Sequence, residues 1–544
     1  MTSSPRRILI VYPRFRRASF WNFKASCEAV GARYPAPPLG LITMAGMLPR
    51  SWDIRLLDRN CETLTDADID AADLVMTGGM LPQQPDILDI IDWCHARGKL
   101  VAVGGPDVTT TPEIYKTADF QIRGEAEAVM QRFLEAWTGG ATQGVFEIEK
   151  FTTDVTTSPI PRFDLLEFRN YLFVNVQYSR GCPFNCEFCD IIELYGRKPR
   201  TKTNAQMLAE LDRLYELGYR GHVDFVDDNL IGNKKAVKQF LPSLIEWQKE
   251  RGFPFEFSTE ASINLADDPA LLGMMRDANF FAVFVGIESP DTETLVAMQK
   301  KQNTRRSIEA SIHKIYDAGI LVVAGFILGF DEEKDGVAEP MVACIEEAAI
   351  PACMIGLLYA LTNTQLTRRL QREGRLHAGY DLVGEKIDGD QCTAGLNFTT
   401  KRPRREILQD YVTVLQRIYH PDAYFGRLQR LSHALRRHGV PQSREAAMMD
   451  LRLLTRFVWA MIRRHPRLLR YFLPTFFDCA RHNRAALKPI LMMMGFYLHL
   501  GPFAQHVVGQ LEQQIAQIDR GEWTAPPLTP TTATARTPEM ATAV

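Results

Sequence analysis

Three cysteines, Cys182, Cys186 and Cys189, stand in the run SRGCPFNCEFCD, directly after a predicted strand. This spacing constrains the fold more than any other feature, because one short loop must present three thiols to one metal group. Three thiolates can hold three irons of a [4Fe–4S] cluster and leave the fourth iron without a protein ligand. An open iron can bind the amino and carboxylate groups of a substrate and pass it an electron. The competing assignment is structural zinc, which wants a fourth ligand. No Cys or His lies within thirty residues of the trio on either side, so the cluster is the favoured assignment.

The other seven of the ten cysteines are scattered, at 27, 61, 94, 344, 353, 392 and 479. The first apolar run spans about six residues, too short for a secretory core. Clustered thiols without an export signal point to a reducing, cytoplasmic compartment and to metal rather than disulfides. The stretch from Pro489 to Ala504 is too short and interrupted for a membrane span of about 20 residues, so no transmembrane helix is expected. With 46% hydrophobic and 24% charged residues the chain is neither disordered nor collagen-like. Its 544 residues exceed one hydrophobic core and predict about three domains.

The first 145 residues alternate short apolar runs with helical periods. Strands are predicted over 8–13, 53–58, 73–79, 100–106 and 119–125, and helices over 39–48 and 86–98. This rhythm predicts a doubly wound parallel sheet, a Rossmann-like α/β domain over 1–145. Three strands end in glycine turns, at Gly78–Gly79, Gly104–Gly105 and Gly124. Ligands of such sheets lie beyond the carboxyl ends of strands, where glycine lets backbone approach closely. No G-x-G-x-x-G opens the domain, which disfavours a nicotinamide cofactor. Residues 146–170 read as a linker. From 171 to 375 the rhythm returns, with strands over 173–179, 222–228, 255–260, 281–288, 320–330 and 353–360. Six βα units predict a partial barrel with its chemistry at the carboxyl ends of its strands. Residues 376–520 read as mostly helical, and the Thr-, Pro- and Ala-rich tail 521–544 as disordered.

C-x3-C-x2-C at the end of the first strand of a six-unit βα barrel resembles the radical S-adenosylmethionine (SAM) enzymes. That resemblance implies a [4Fe–4S] cluster on Cys182, Cys186 and Cys189, with Phe188 near the adenine of SAM. It implies Asp227 and Asp228 of FVDDN for the methionine amino group, and Glu260, Gly286 and Glu288 for ribose and adenine. The amino-terminal domain is similar to the cobalamin-binding domain of the cobalamin-dependent branch. The TGG turn (Thr77, Gly78, Gly79), Met80 and Leu81, the GGP turn (Gly104, Gly105, Pro106), and Gly124 with Glu125 match its pattern. There is no D-x-H-x-x-G, and the only histidine before 222 is His95, inside a predicted helix. The resemblance then implies a cobalt whose lower face is covered by the loop Met80–Leu81–Pro82. Stretches such as YPAPPLGLIT (34–43), MTGGMLPQQPD (76–86), GHVDFVDDNLIGNKK (221–235), FSTEASINLADD (257–268) and QKKQNTRRS (299–307) resemble the hopanoid C-2 methylases and their near relatives.

The resemblance implies radical C-methylation: a 5′-deoxyadenosyl radical takes hydrogen from an unactivated carbon, C-2 of a hopanoid A ring, and methylcobalamin gives the methyl group. Alternatives are the same methylation of another apolar, tetrapyrrole or secondary-metabolite scaffold, or a radical SAM cyclase. A flavodoxin- or ferredoxin-type electron donor is implied as partner. Residues 401–520 carry 20 Lys and Arg against 8 Asp and Glu, with the arginines interleaved among Trp, Phe, Met and Leu. That mixture suits a helix lying on an anionic lipid face, here the inner face of the cytoplasmic membrane, better than nucleic acid, which is not expected as a partner. Cys392 and the Met492–Met494 run read as packing rather than chemistry.

Overall fold

The computed structural model describes residues 5–15, 19–379, 392, 395–437 and 444–530. The tail expectation for 531–544 therefore lies outside the described residues. Ile8, Leu9, Ile10 and Val11 are each buried to 2% exposure or less, as a strand covered on both faces must be. Six such strands pair in parallel: β1 (Arg7–Tyr12), β2 (Asp53–Asp58), β3 (Leu74–Gly78), β4 (Val101–Gly104), β5 (Phe120–Arg123) and β6 (Gly144–Glu147). Their order is β2-β1-β3-β4-β5-β6. It reverses between β1 and β3, which opens a crevice at the carboxyl edge. β6 falls across the boundary where the sequence reads as linker. Only Phe146 of its four residues is buried, so it carries almost no periodic signal.

The second sheet is an open, parallel half-barrel. It starts with β7 (Val174–Val176), followed by the short antiparallel clip β8 (Ser179–Arg180) and β9 (Arg200–Thr201). It continues through β10 (Gly221–Phe225), β11 (Phe255–Glu260), β12 (Phe280–Glu288), β13 (Leu321–Leu328) and β14 (Cys353–Leu357). Neighbours run in chain order from β7 to β14. The run 173–179 breaks after β7 because the Asp227 carboxylate, not a strand, takes the amides of Tyr178 and Ser179.

Among the described residues five α-helices of eight residues or more follow β14 and its short helix: Arg404–Ile418, Pro421–Ala434, Arg444–Arg464, Leu469–His482 and Leu487–Asp519. The Tyr411 hydroxyl donates to the Ile355 carbonyl of β14 at 2.6 Å. The fully buried Arg427 donates to the Ile350 and Ile418 carbonyls at 3.0 and 2.6 Å. The last helix returns to the start of the chain. Phe496 stacks on Phe23 at 4.7 Å and the Gly495 carbonyl accepts from Ser26 Oγ at 2.9 Å. Cys392, Met493 and Met494 are packed in the core. No described helix is long and apolar enough to cross a membrane.

Candidate active site

The β8–β9 clip closes a loop that carries all three cysteines. Gly181 turns into it with φ +95°, and a Cβ there would meet the Gly196 carbonyl at 2.9 Å. The Cys182 amide donates to that carbonyl at 3.2 Å and the Cys189 amide to the Cys186 carbonyl at 3.3 Å. Asn185 is held by Gln299 and Gln365, and Glu187 by Arg369. Among the described residues the three sulfurs do not gather within 4.8 Å of one another. One zinc at bond lengths of about 2.3 Å would need them about 3.8 Å apart. The loop brings three thiols and no fourth protein ligand, which suits a cluster with one open iron better than structural zinc. Burial pushes the Cys182 and Cys189 thiols up, so they give up protons when they bind iron.

The carboxylates named from sequence gather at the same rim but divide the work. Asp227 is 1% exposed, and its oxygens are taken by Ser179 and by the amides of Tyr178 and Ser179. It braces the backbone that leads into the cysteine loop. Asp228 accepts the Gly181 amide at 2.7 Å, directly before Cys182. Burial, with Asp227 and Asp190 nearby, raises its carboxyl to about 7. One oxygen of Glu260 is buried without a hydrogen-bond partner, and burial beside Asp224 raises its carboxyl strongly. Glu288, at φ +67°, forms a buried ion pair with Lys300. The pair lies over Gly286, where a Cβ would meet Glu288 Oε1 at 2.4 Å. Phe188 is edge-on to Phe330 at 5.8 Å, with Lys300 Nζ 5.9 Å from its ring.

The rim of the first sheet has a different makeup. A Cβ on Gly78 would stand 2.3 Å from the Gly104 carbonyl oxygen, and one on Gly105 3.2 Å from the Gly79 backbone. The ends of β3 and β4 therefore meet backbone to backbone and leave a flat platform. Met80 lies at its edge, 49% exposed, with Leu81 and Pro106 half-buried beside it. A broad planar cofactor fits such a surface. Thr77 is buried and its hydroxyl donates to the Val11 carbonyl at 2.9 Å, which ties β3 to β1. Glu125 pairs with Arg180 at 3.0 Å and Arg200 at 2.8 Å on the clip. Glu127 joins Arg180 at 2.6 Å. The Gly124 amide donates to Thr109. His95 pairs with Asp119, ahead of β5 and so at the opposite edge from the platform. The two rims meet where helix Pro106–Thr110 packs on helix Ile191–Leu194, just after Cys189.

Several residues here carried little legible signal in the sequence. Lys300 sits in a lysine- and glutamine-rich run whose fold partner is twelve residues away. Gln302 Nε2 approaches Cys186 Sγ at 3.7 Å and Asn229 Nδ2 approaches Cys182 Sγ at 3.9 Å. Arg180 and Arg200 flank the loop in sequence, but their glutamates lie in the other domain. The available hints were Arg180 of R-G-C itself and the stretches 221–235 and 299–307, which hold Asn229, Lys300 and Gln302.

This layout defines a class: a half-barrel presenting a three-cysteine cluster loop to the glycine edge of a doubly wound sheet is that of radical SAM enzymes with an added cobalamin-type domain. Residues 176–343 match the radical SAM superfamily and 364–513 match a domain of unknown function. The chain is 42% identical to an uncharacterized methyltransferase of Synechocystis over 515 residues, 94% of each chain. It is 39% identical to the hopanoid C-2 methylase of Rhodopseudomonas palustris over 437 residues, 79% of this chain and 80% of that one. Among solved structures, the cobalamin-dependent SAM radical enzyme OxsB with aqua-cobalamin and SAM bound aligns over 96% of this chain and 82% of its own, at 14% identity and a TM-score of 0.58. The chain belongs to the methyltransferase family that includes hopanoid C-2 methylase, carries a radical SAM domain, and has the fold of a cobalamin-dependent SAM radical enzyme.

Proposed function

We propose that this enzyme methylates an unactivated ring carbon of a hopanoid, C-2 of its A ring. The observation that carries the substrate is an aromatic wall at the barrel mouth. Trp21 is 43% exposed and leans on Phe284 of β12 at 5.8 Å, in register with Glu260. The wall continues through Phe20 and Phe23 to Phe496 and Phe503 of the last helix. A flat, apolar polycycle would rest on the exposed ring of Trp21, backed by the buried Phe20 and Phe23.

Cys182, Cys186 and Cys189 would hold the cluster. Asp228, Glu260, the backbone at Gly286 and the ring of Phe188 would hold SAM, with the unpartnered Glu260 oxygen offered to hydroxyl donors. The Gly78–Gly79, Gly104–Pro106 and Gly124 turns, with Met80 and Leu81, would hold cobalamin. When bound, cluster and SAM supply a radical that takes hydrogen as an atom, and cobalamin supplies the methyl group. Hydrogen taken as an atom needs no general base, so the rim acids bind and orient. The Arg180–Glu125–Glu127 seam aligns the two rims, and the aromatic wall excludes water from reactive carbon. Reducing equivalents would come from a flavodoxin- or ferredoxin-type donor.

The route to a lipid is supported by helices Arg444–Arg464 and Leu469–His482. They expose Leu451, Trp459, Ile462, Leu473 and Phe477, interleaved with Arg452, Arg456, Arg463, Arg464 and Arg470. This face would rest on the anionic inner leaflet of the cytoplasmic membrane. The test is lipid mass spectrometry after expression in a hopanoid-making bacterium lacking ring methylation, at low oxygen with cobalamin supplied. A hopanoid heavier by one methylene in its A-ring fragment is expected. Unchanged hopanoids beside cluster- and cobalamin-loaded protein would reject the hopanoid and leave the methyltransferase class standing.

A further inference from the structure

The helical region carries a second set of metal-ligating side chains, remote in sequence from the cysteines. Helices Pro421–Ala434 and Leu469–His482 pack together. Their carboxyl ends are tied by Asn483, whose Nδ2 donates to the Ser432 and Leu435 carbonyls at 2.9 and 2.6 Å. Asp478 and His482 stand one turn apart on one helix face, and His433 meets them from the last turn of the other helix. His433 Nε2 lies 2.9 Å from Asp478 Oδ2, and His482 Nδ1 lies 3.1 Å from Asp478 Oδ1. The two imidazole rings are 4.8 Å apart. One donor atom from each of the three falls within 4.8 Å of the others, and among the described residues no other trio of His, Cys, Asp and Glu does so.

Two imidazoles and a carboxylate at metal bond lengths of about 2.0–2.2 Å place their donor atoms about 3–3.5 Å apart. The observed spacings reach that with small side-chain rotations. Mixed nitrogen and oxygen donors select a borderline transition ion, whereas calcium and magnesium want oxygen. Both helices end here, so their free carbonyl ends add negative potential. Ser432 Oγ reaches Asp478 Oδ2 at 3.5 Å, a contact of the kind that orients a ligating carboxylate. His433 and His482 are about half exposed, 50% and 47%, which leaves room for water to complete the coordination shell.

We infer that His433, Asp478 and His482 bind one divalent transition-metal ion, of the zinc type, which clips the carboxyl ends of these two helices together. The clip is independent of the iron cluster and of the substrate proposed above.

The test uses the cluster-loaded enzyme without a histidine tag, so that the three cysteines are occupied and no added imidazoles compete. Zinc chloride is titrated in by calorimetry, with magnesium chloride in parallel. The expected result is one zinc per wild-type chain and no magnesium. H433A and D478N should bind zinc on the order of 100-fold more weakly, at the upper end of the loss seen for supporting residues. Zinc should raise the melting temperature of the wild type but not of H433A, while the zinc-free forms melt alike. Equal zinc affinity in wild type and H433A, or no zinc binding by the wild type, overturns the assignment.

Discussion

The two parallel sheets are built alike, from buried apolar strands joined by helices, yet their carboxyl rims have opposite chemistry. The first rim is bare backbone: Gly78 and Gly104 approach so closely that a Cβ would stand 2.3 Å from a carbonyl oxygen. The second rim is crowded with side chains: three thiols, the acids Asp228 and Glu260, and the Lys300–Glu288 pair. A broad planar cofactor needs area without side chains, whereas a cluster and a small charged cofactor need point ligands. One strand pattern therefore serves both once the residues after each strand are changed.

The contrast breaks most sharply at the cysteines. C186A is expected to abolish iron incorporation and to take SAM cleavage below detection, read by iron assay and 5′-deoxyadenosine formation after anaerobic reconstitution. Retained cleavage would remove the cluster from the second rim. G78V tests the other side. Its side chain is driven into the Gly104 backbone, and overpacking of this kind costs about 1–3 kcal/mol. Bound corrinoid should fall about tenfold while iron per chain is unchanged, both measured on one sample. Loss of both together would mean that the rims do not load independently.

What the sequence disclosed follows the same division. The strands were legible because runs such as ILIV and FAVFVGIE are continuous and apolar, and β11 falls on the predicted 255–260. The cysteines and glycines were legible because their spacing is local. What escaped depends on partners distant in the chain. The Asp227 carboxylate accepts from residues 178 and 179, some fifty positions earlier, a contact its strand-end position does not announce. Glu125 pairs with Arg180 and Arg200 of the other domain, a link its own motif does not record. No one-dimensional pattern records that a strand-end acid faces inward to brace a loop instead of outward to a ligand.

The seam between the rims is the next place to press. Burial alone would raise the Glu127 carboxyl, but the hydrogen bonds and charge of Arg180 pull it down to about 2. A lowered carboxyl contributes stability that is present above its ordinary range near 4.5 and is lost as pH falls toward 2. E127Q should therefore destabilise the protein by about 3 kcal/mol at neutral pH. It should also reduce acid sensitivity below pH 4, followed by denaturant melts at several pH values. An unaltered acid limb would show that the domains are not joined through this pair.

The barrel acids carry the opposite sign and the smallest effect. Burial raises Asp224 to about 6, against the hydrogen bond from Ser258. A raised carboxyl contributes stability that is full below its ordinary value near 4 and is lost as pH rises through 6. In the cofactor-free chain, D224N should flatten the decline in stability between pH 4 and 7. The change is bounded by one proton, about 1.4 kcal/mol per pH unit. The acid limb governed by Glu127 should be untouched, because the two carboxyls answer to different neighbours: one to an arginine across the seam, the other to desolvation and the adjoining Glu260 within the barrel. If D224N shifted the acid limb instead, the barrel and the seam would be titrating as one network, and the separation of the two rims would fail at its electrostatic root.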